Sequence, residues 1–71
     1  MERLLQFSLE RTRVIRLMYM EPEGTLRQVN ATVISYDQHK VEVVTTRSPR
    51  PLTIPREAIL SADFRRGDDG Q

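Results

Sequence analysis

The chain has no cysteine and no tryptophan, a single histidine and a single lysine, and no long apolar run. Each absence removes a class of function. Without cysteine there is no disulfide, no thiolate nucleophile and no Cys-ligated zinc or iron–sulfur site, a pattern that fits a reducing compartment. With His39 alone, one chain cannot build a multi-histidine metal site. A base-plus-nucleophile pair would have to join His39 to Ser35 or Ser48, and no orienting pocket is evident for it. No apolar stretch approaches the roughly 20 residues that span a bilayer. The opening MERLLQFSLERTR carries Glu2 and Glu10 where a secretory signal needs an unbroken apolar segment. The expectation is a soluble, cytoplasmic protein.

What remains is short and evenly charged. At 71 residues and 8.3 kDa the chain makes one domain, and a domain of that size buries only roughly 60% of its unfolded surface. So thin a core gains stability by associating with copies of itself or with a partner. The formal net charge is +1, too balanced to draw polyanions from a distance. Nearly all the cations are arginine, whose planar fork suits carboxylate and phosphate.

The hydrophobic pattern changes along the chain. RLLQFSLERTR places Leu4, Leu5, Ser8, Leu9 and Thr12 on one helical stripe, with Glu10 about one turn before Arg13, and predicts a short helix over residues 2–11. From Val14 the period becomes two. Ile15, Leu17 and Tyr19 share one face, while Val14, Arg16, Met18 and Met20 share the other. EPEGT breaks this strand, since Pro22 lacks an amide donor and Gly24 permits positive φ. LRQVNATVISY follows as a long strand with Val29, Ala31 and Val33 on one face and Ile34 and Tyr36 on the other. The slip at Val33–Ile34 predicts a bulge. Asp37–Lys40 reads as a turn whose aspartate accepts local amide hydrogens. KVEVVTT resumes alternation, and RSPRP is a loop held extended by its prolines. LTI is a short strand, PREAIL one helical turn begun by Pro55, and LSADF a last strand. The prediction is a mainly β domain over 1–64, a small SH3-like or Sm-like antiparallel barrel of about five strands with a short N-terminal helix. Residues 65–71 are expected to form a disordered tail.

These patterns resemble the barrel module of bacterial YolD-like proteins and of the related WYL domains. The likeness rests on Ile15, Leu17 and Tyr19 before a turn containing Gly24, on the valine-rich hairpin, and on Ile54 followed five residues later by Ile59. It covers roughly residues 5 to 64. The Trp-Tyr-Leu signature of WYL domains is missing, KVEVV standing in its place, as is the longer amino-terminal region usual in YolD-like proteins. Arg50 would match an arginine that WYL domains use at a ligand-facing surface. The resemblance implies a non-enzymatic accessory or regulatory module, with links to transcriptional control, nucleic-acid sensing and translesion polymerase operons.

Two surfaces are expected to carry function, and neither needs a cofactor or a metal. Glu21 and Glu23 lack the further oxygen ligands of a calcium cage. Met18, Met20 and Ile34 lie on strand faces that another subunit or partner protein would cover, with an exposed strand edge as the route. Arg47, Arg50 and Arg56 surround the proline loop, and clustered in space they would hold phosphates of nucleic acid or another anionic ligand. Protein–protein interaction or self-association is the first reading and anion binding the alternative.

Overall fold

A computed structural model describes residues 1–65. Helix α1 (Glu2–Arg11) leads five strands, β1 (Ile15–Met20), β2 (Leu26–Tyr36), β3 (Lys40–Thr45), β4 (Pro51–Pro55) and β5 (Ile59–Phe64), with one 3-10 turn, Arg56–Ala58, between the last two. Neighbouring strands are antiparallel throughout, in the order β4-β3-β2-β1-β5. The protein is thus mainly β, five antiparallel strands and a leading helix, as the alternation predicts. The sheet is open: β4 and β5 are its two ends and do not pair with each other. Of the tail expected from residue 65, residues 66–71 lie outside the described residues.

One face of the sheet holds the core. Ile15, Leu17 and Tyr19 of β1 stand beside Ala31 and Val33 of β2, Val41 and Val43 of β3 and Ile54 of β4, all buried. Helix α1 covers this face with Leu5, which is fully buried, and with Leu4 and Phe7 partly buried against it. The helical stripe is therefore rotated from its predicted centre. Leu9 and Thr12 are exposed, and Phe7 takes the place expected of Leu9, meeting Phe64 of β5 edge-to-face at 5.5 Å. Glu10 accepts a hydrogen bond from Gln6 Nε2 at 2.9 Å, one turn earlier.

The predicted bulge is present. The β2–β3 register shifts between Val33 and Ser35. Its effect differs from simple alternation: Val33 pairs with Val43 and Tyr36 with Val41, so Tyr36 returns to the core face while Ile34 is left exposed. A second shift, between Met18 and Tyr19 on the β1–β5 side, sets Ile59 and Ala62 against the core and leaves Leu60 exposed.

Ser8 joins helix to sheet. It is fully buried, which a hydroxyl tolerates only when hydrogen bonded. Its Oγ donates to the Arg13 carbonyl at 2.6 Å and accepts the Val33 N–H at 2.8 Å. Its own carbonyl accepts the Thr12 and Arg13 amides at the helix end, where Thr12 adopts the left-handed conformation at φ 54°. The register Ile15↔Ala31 and Leu17↔Val29 would bring Val33 opposite Arg13 if β1 ran two residues longer. The hydroxyl stands between the two groups that such a ladder would pair.

Replacing Ser8 with Ala orphans the buried Val33 amide and is expected to lower unfolding free energy by about 1–3 kcal/mol, measured by urea titration. An unchanged midpoint would show that the Ser8 hydroxyl adds nothing to the hold of the helix on the sheet.

Candidate interaction surfaces

The structure divides the three arginines expected to cluster. Arg47 and Arg50 belong to the connection between β3 and β4, at the end of the sheet where Val44 pairs with Pro51. Arg56 lies at the other end of β4, five residues away, which at about 3.3 Å per residue is roughly 15 Å. Arg56 is occupied there. Its Nη2 pairs with Glu2 Oε1 at 2.5 Å, its Nη1 donates to the Asp37 carbonyl at 2.9 Å, and its guanidinium carbon lies 5.8 Å from the centre of the Tyr36 ring. With its side chain 19% exposed, Arg56 ties the start of α1 to the β2–β3 turn.

That turn forms as its residues predict. The Asp37 carboxylate accepts the His39 amide at 2.7 Å and the Lys40 amide at 2.9 Å, and Asp37 N–H donates to the Lys40 carbonyl at 3.0 Å. These backbone donors, His39 first, hold the Asp37 carboxyl below its ordinary pKa. The hydroxyls weighed with His39 as nucleophiles have local partners: Ser35 donates to Glu42 Oε1 at 3.3 Å, and Ser48 accepts the Arg50 amide at 3.2 Å. Among the described residues, no group of three or more His, Cys, Asp or Glu side chains could hold a metal ion. No helix among them is long and apolar enough to cross a membrane.

The edges of the sheet differ in what they offer another strand. In an antiparallel ladder the main-chain groups of successive residues point alternately to the two sides. The Arg56 N–H donates to the His39 carbonyl. With the register Val41↔Ile54 and Val43↔Leu52, this directs the Leu52 and Ile54 amides inward and turns Pro51, Thr53 and Pro55 outward. Two of those three have no N–H, so β4 is a blunted edge. On β5, Asp63 and Ser61 face β1, opposite Arg16 and Met18. The outward amide of Phe64 is taken by the Asp63 carboxylate at 2.8 Å, which leaves that of Ala62 facing out.

A third edge lies inside the sheet. β2 has eleven residues and β3 six, and their pairing ends at Ala31↔Thr45, with one more bond from the Thr46 N–H to the Asn30 carbonyl at 2.9 Å. From Leu26 to Asn30, β2 has β1 on one side and no strand on the other. A cleft of about 370 Å³ opens there, lined by Arg27, Gln28, Val29, Asn30, Thr45, Thr46 and Arg47. The lining has two cations and no acid. Arg27 pairs through Nε with Glu21 at 3.0 Å, and that carboxylate raises the Arg27 pKa by hydrogen bonding and then by charge. Arg47 makes no ion pair with a described residue. Arg27 is not among the three arginines expected to cluster, yet it shares the cleft with Arg47. The unequal lengths of the strands before and after Asp37 carried the signal.

The expected apolar surface also divides. Met18 faces Gln28 and Ser61, and Met20 faces Leu26, all on the sheet face away from α1. The second bulge turns Leu60 toward the same face. Leu26, Met20 and Leu60, exposed to 52%, 38% and 57%, form a row across three strands with Met18 beside it. Ile34 is exposed at the first bulge, six residues beyond Gln28 on β2, and stands outside this row.

Because the folded-state pKa of Asp37 is depressed, the stability its ionised form supplies is present above the unfolded value near 3.8 and is lost as pH falls through the lower folded value. Asp37→Asn is expected to lower the thermal midpoint at neutral pH and to flatten its decline between about pH 5 and pH 2. Parallel acid slopes in the two proteins would contradict this role.

Set against known proteins, the chain matches no protein-family model, no curated protein and no solved structure.

Proposed function

We propose that this protein is a non-enzymatic accessory module that works through protein–protein contact, first with a second copy of itself. One observation carries the reading: the row Leu26–Met20–Leu60, with Met18 beside it, is left uncovered because α1 occupies the opposite face of the sheet. Large apolar side chains gathered on one sheet face favour a covering subunit, whereas the same residues scattered singly would not. At about 25 cal/mol per Å² of apolar surface removed from water, a symmetric pairing of this row adds burial that the small core lacks.

The strand order and the two bulges support reading the bent sheet as an SH3-like or Sm-like barrel left open between β4 and β5. A regulatory role in a bacterial cytoplasm, as in YolD-like and WYL modules, belongs to the same proposal. It rests on the resemblance of the Ile15-Leu17-Tyr19 strand and the valine hairpin. The anionic-ligand alternative finds its best support at Arg47 rather than at the full arginine trio, since Arg56 is engaged with Glu2 and Asp37.

Sedimentation velocity over a concentration series is expected to show a reversible dimer, and Met20→Glu or Leu60→Glu to shift it to monomer by placing unpaired charge in the contact. A wild-type chain that stays monomeric at millimolar concentration would remove the self-association reading.

A further inference from the structure

We infer that the cleft beside the first half of β2 receives an extended acidic peptide, which adds as a short strand along Leu26–Asn30 and sets a carboxylate against Arg47. The inference rests on the reading of the chain as a protein-interaction module and names a second surface for it, separate from the apolar row.

Three observations lead to this class of ligand. The first is the direction of the main chain. Glu21 N–H donates to the Thr25 carbonyl, and Thr46 N–H donates to the Asn30 carbonyl. Both bonds fix the same alternation: Arg27, Val29 and Ala31 face β1, while Leu26 and Gln28 turn their amides and carbonyls toward the cleft and Asn30 its amide, the Asn30 carbonyl being held by Thr46. A strand laid here meets amides at alternate residues, which the proline-blocked edge of β4 does not offer. Main-chain pairing of this kind supplies affinity, and side-chain contacts at alternate positions supply selectivity.

The second is charge. Arg47 and Arg27 stand among the lining residues with the amides of Gln28 and Asn30 and the hydroxyls of Thr45 and Thr46. Arg27 gives only its Nε to Glu21, and a guanidinium has five N–H donors. A peptide carboxylate therefore finds Arg47 without a described ionic partner and the remaining donors of Arg27 close by. A basic peptide would meet like charge with no acid in the lining to offset it.

The third observation separates peptide from nucleic acid. No aromatic side chain lines the cleft. Single strands are held by stacking bases on aromatic rings together with phosphate contacts, and here Val29 is the one apolar member. The open ladder is the feature that a peptide backbone matches and a phosphodiester does not.

The test uses the full chain and four fluorescein-labelled probes, read by anisotropy. They are an octapeptide alternating Glu and Val, the same peptide N-methylated at alternate residues, an octapeptide alternating Lys and Val, and an oligothymidylate. The acidic peptide is expected to bind, and the N-methylated and basic peptides to bind about tenfold more weakly or worse. Amide resonance shifts should concentrate at Gln28, Asn30 and Thr45–Arg47. Arg47→Glu, at an exposed position, should cost about tenfold in affinity while leaving the circular dichroism unchanged. Gln28→Pro removes a cleft-facing amide that takes no part in the β1 ladder and should weaken binding likewise. Equal binding of the acidic and N-methylated peptides would overturn the inference. So would binding that ignores both substitutions, or an oligothymidylate held through Arg47 in place of the peptide. A strict monomer that still binds the acidic peptide would remove self-association and leave the cleft. A dimer that binds no peptide would do the reverse.

Discussion

The Val33 amide and the Arg13 carbonyl would pair directly if the first hairpin were longer, and here they meet through the hydroxyl of Ser8. The rest of the architecture depends on this insertion. β1 cannot continue backward past Ile15, because the chain must turn away there to become α1, whose last turn closes on the Ser8 carbonyl. β2 does continue, since it has β3 to pair with. Without an inserted donor and acceptor, the overhang of β2 would bury an unsatisfied amide. One serine thus lets the helix cross the face of the sheet while the strand beneath runs on toward its bulge.

The same mismatch of strand lengths recurs at the other end of β2, with the opposite outcome. Toward Val33 the overhanging main chain is buried and satisfied from within. Toward Leu26 it is left beside a polar cleft. The outermost strands, where association by edge pairing would ordinarily be sought, are modified against it, β4 by Pro51 and Pro55 and β5 by the Asp63 carboxylate on the Phe64 amide. Opportunities for pairing have moved from the rim of the sheet to its interior strand, and apolar exposure has moved to the face that the helix leaves bare.

Period-two alternation made the strands legible because each has one buried face, and burying Ile15, Leu17 and Tyr19 together fixes the register of β1. Asp37 was legible as a turn former because its chemistry is local, acting over two and three residues. The fate of Tyr36 was not, since a bulge inverts the parity of all that follows and its exact place depends on the partner strand. Ser8 was visible on the helical stripe but not as a link to Val33, a contact across 25 positions that no periodicity encodes. The arginines misled for a related reason. Arg47, Arg50 and Arg56 are close in sequence, yet an intervening strand holds its ends apart, and the arginine that joins Arg47 at the cleft is Arg27.

Arg56 reaches Glu2 across 54 positions, and like the Ser8 hydroxyl it ties α1 down through a side chain; the walls of the core are joined by main-chain ladders. The roof is therefore attached by side chains and the walls by backbone. Lifting the roof breaks no ladder, so α1 can open as a unit while the sheet stays paired. Each such excursion would briefly uncover the apolar interior beneath Leu5.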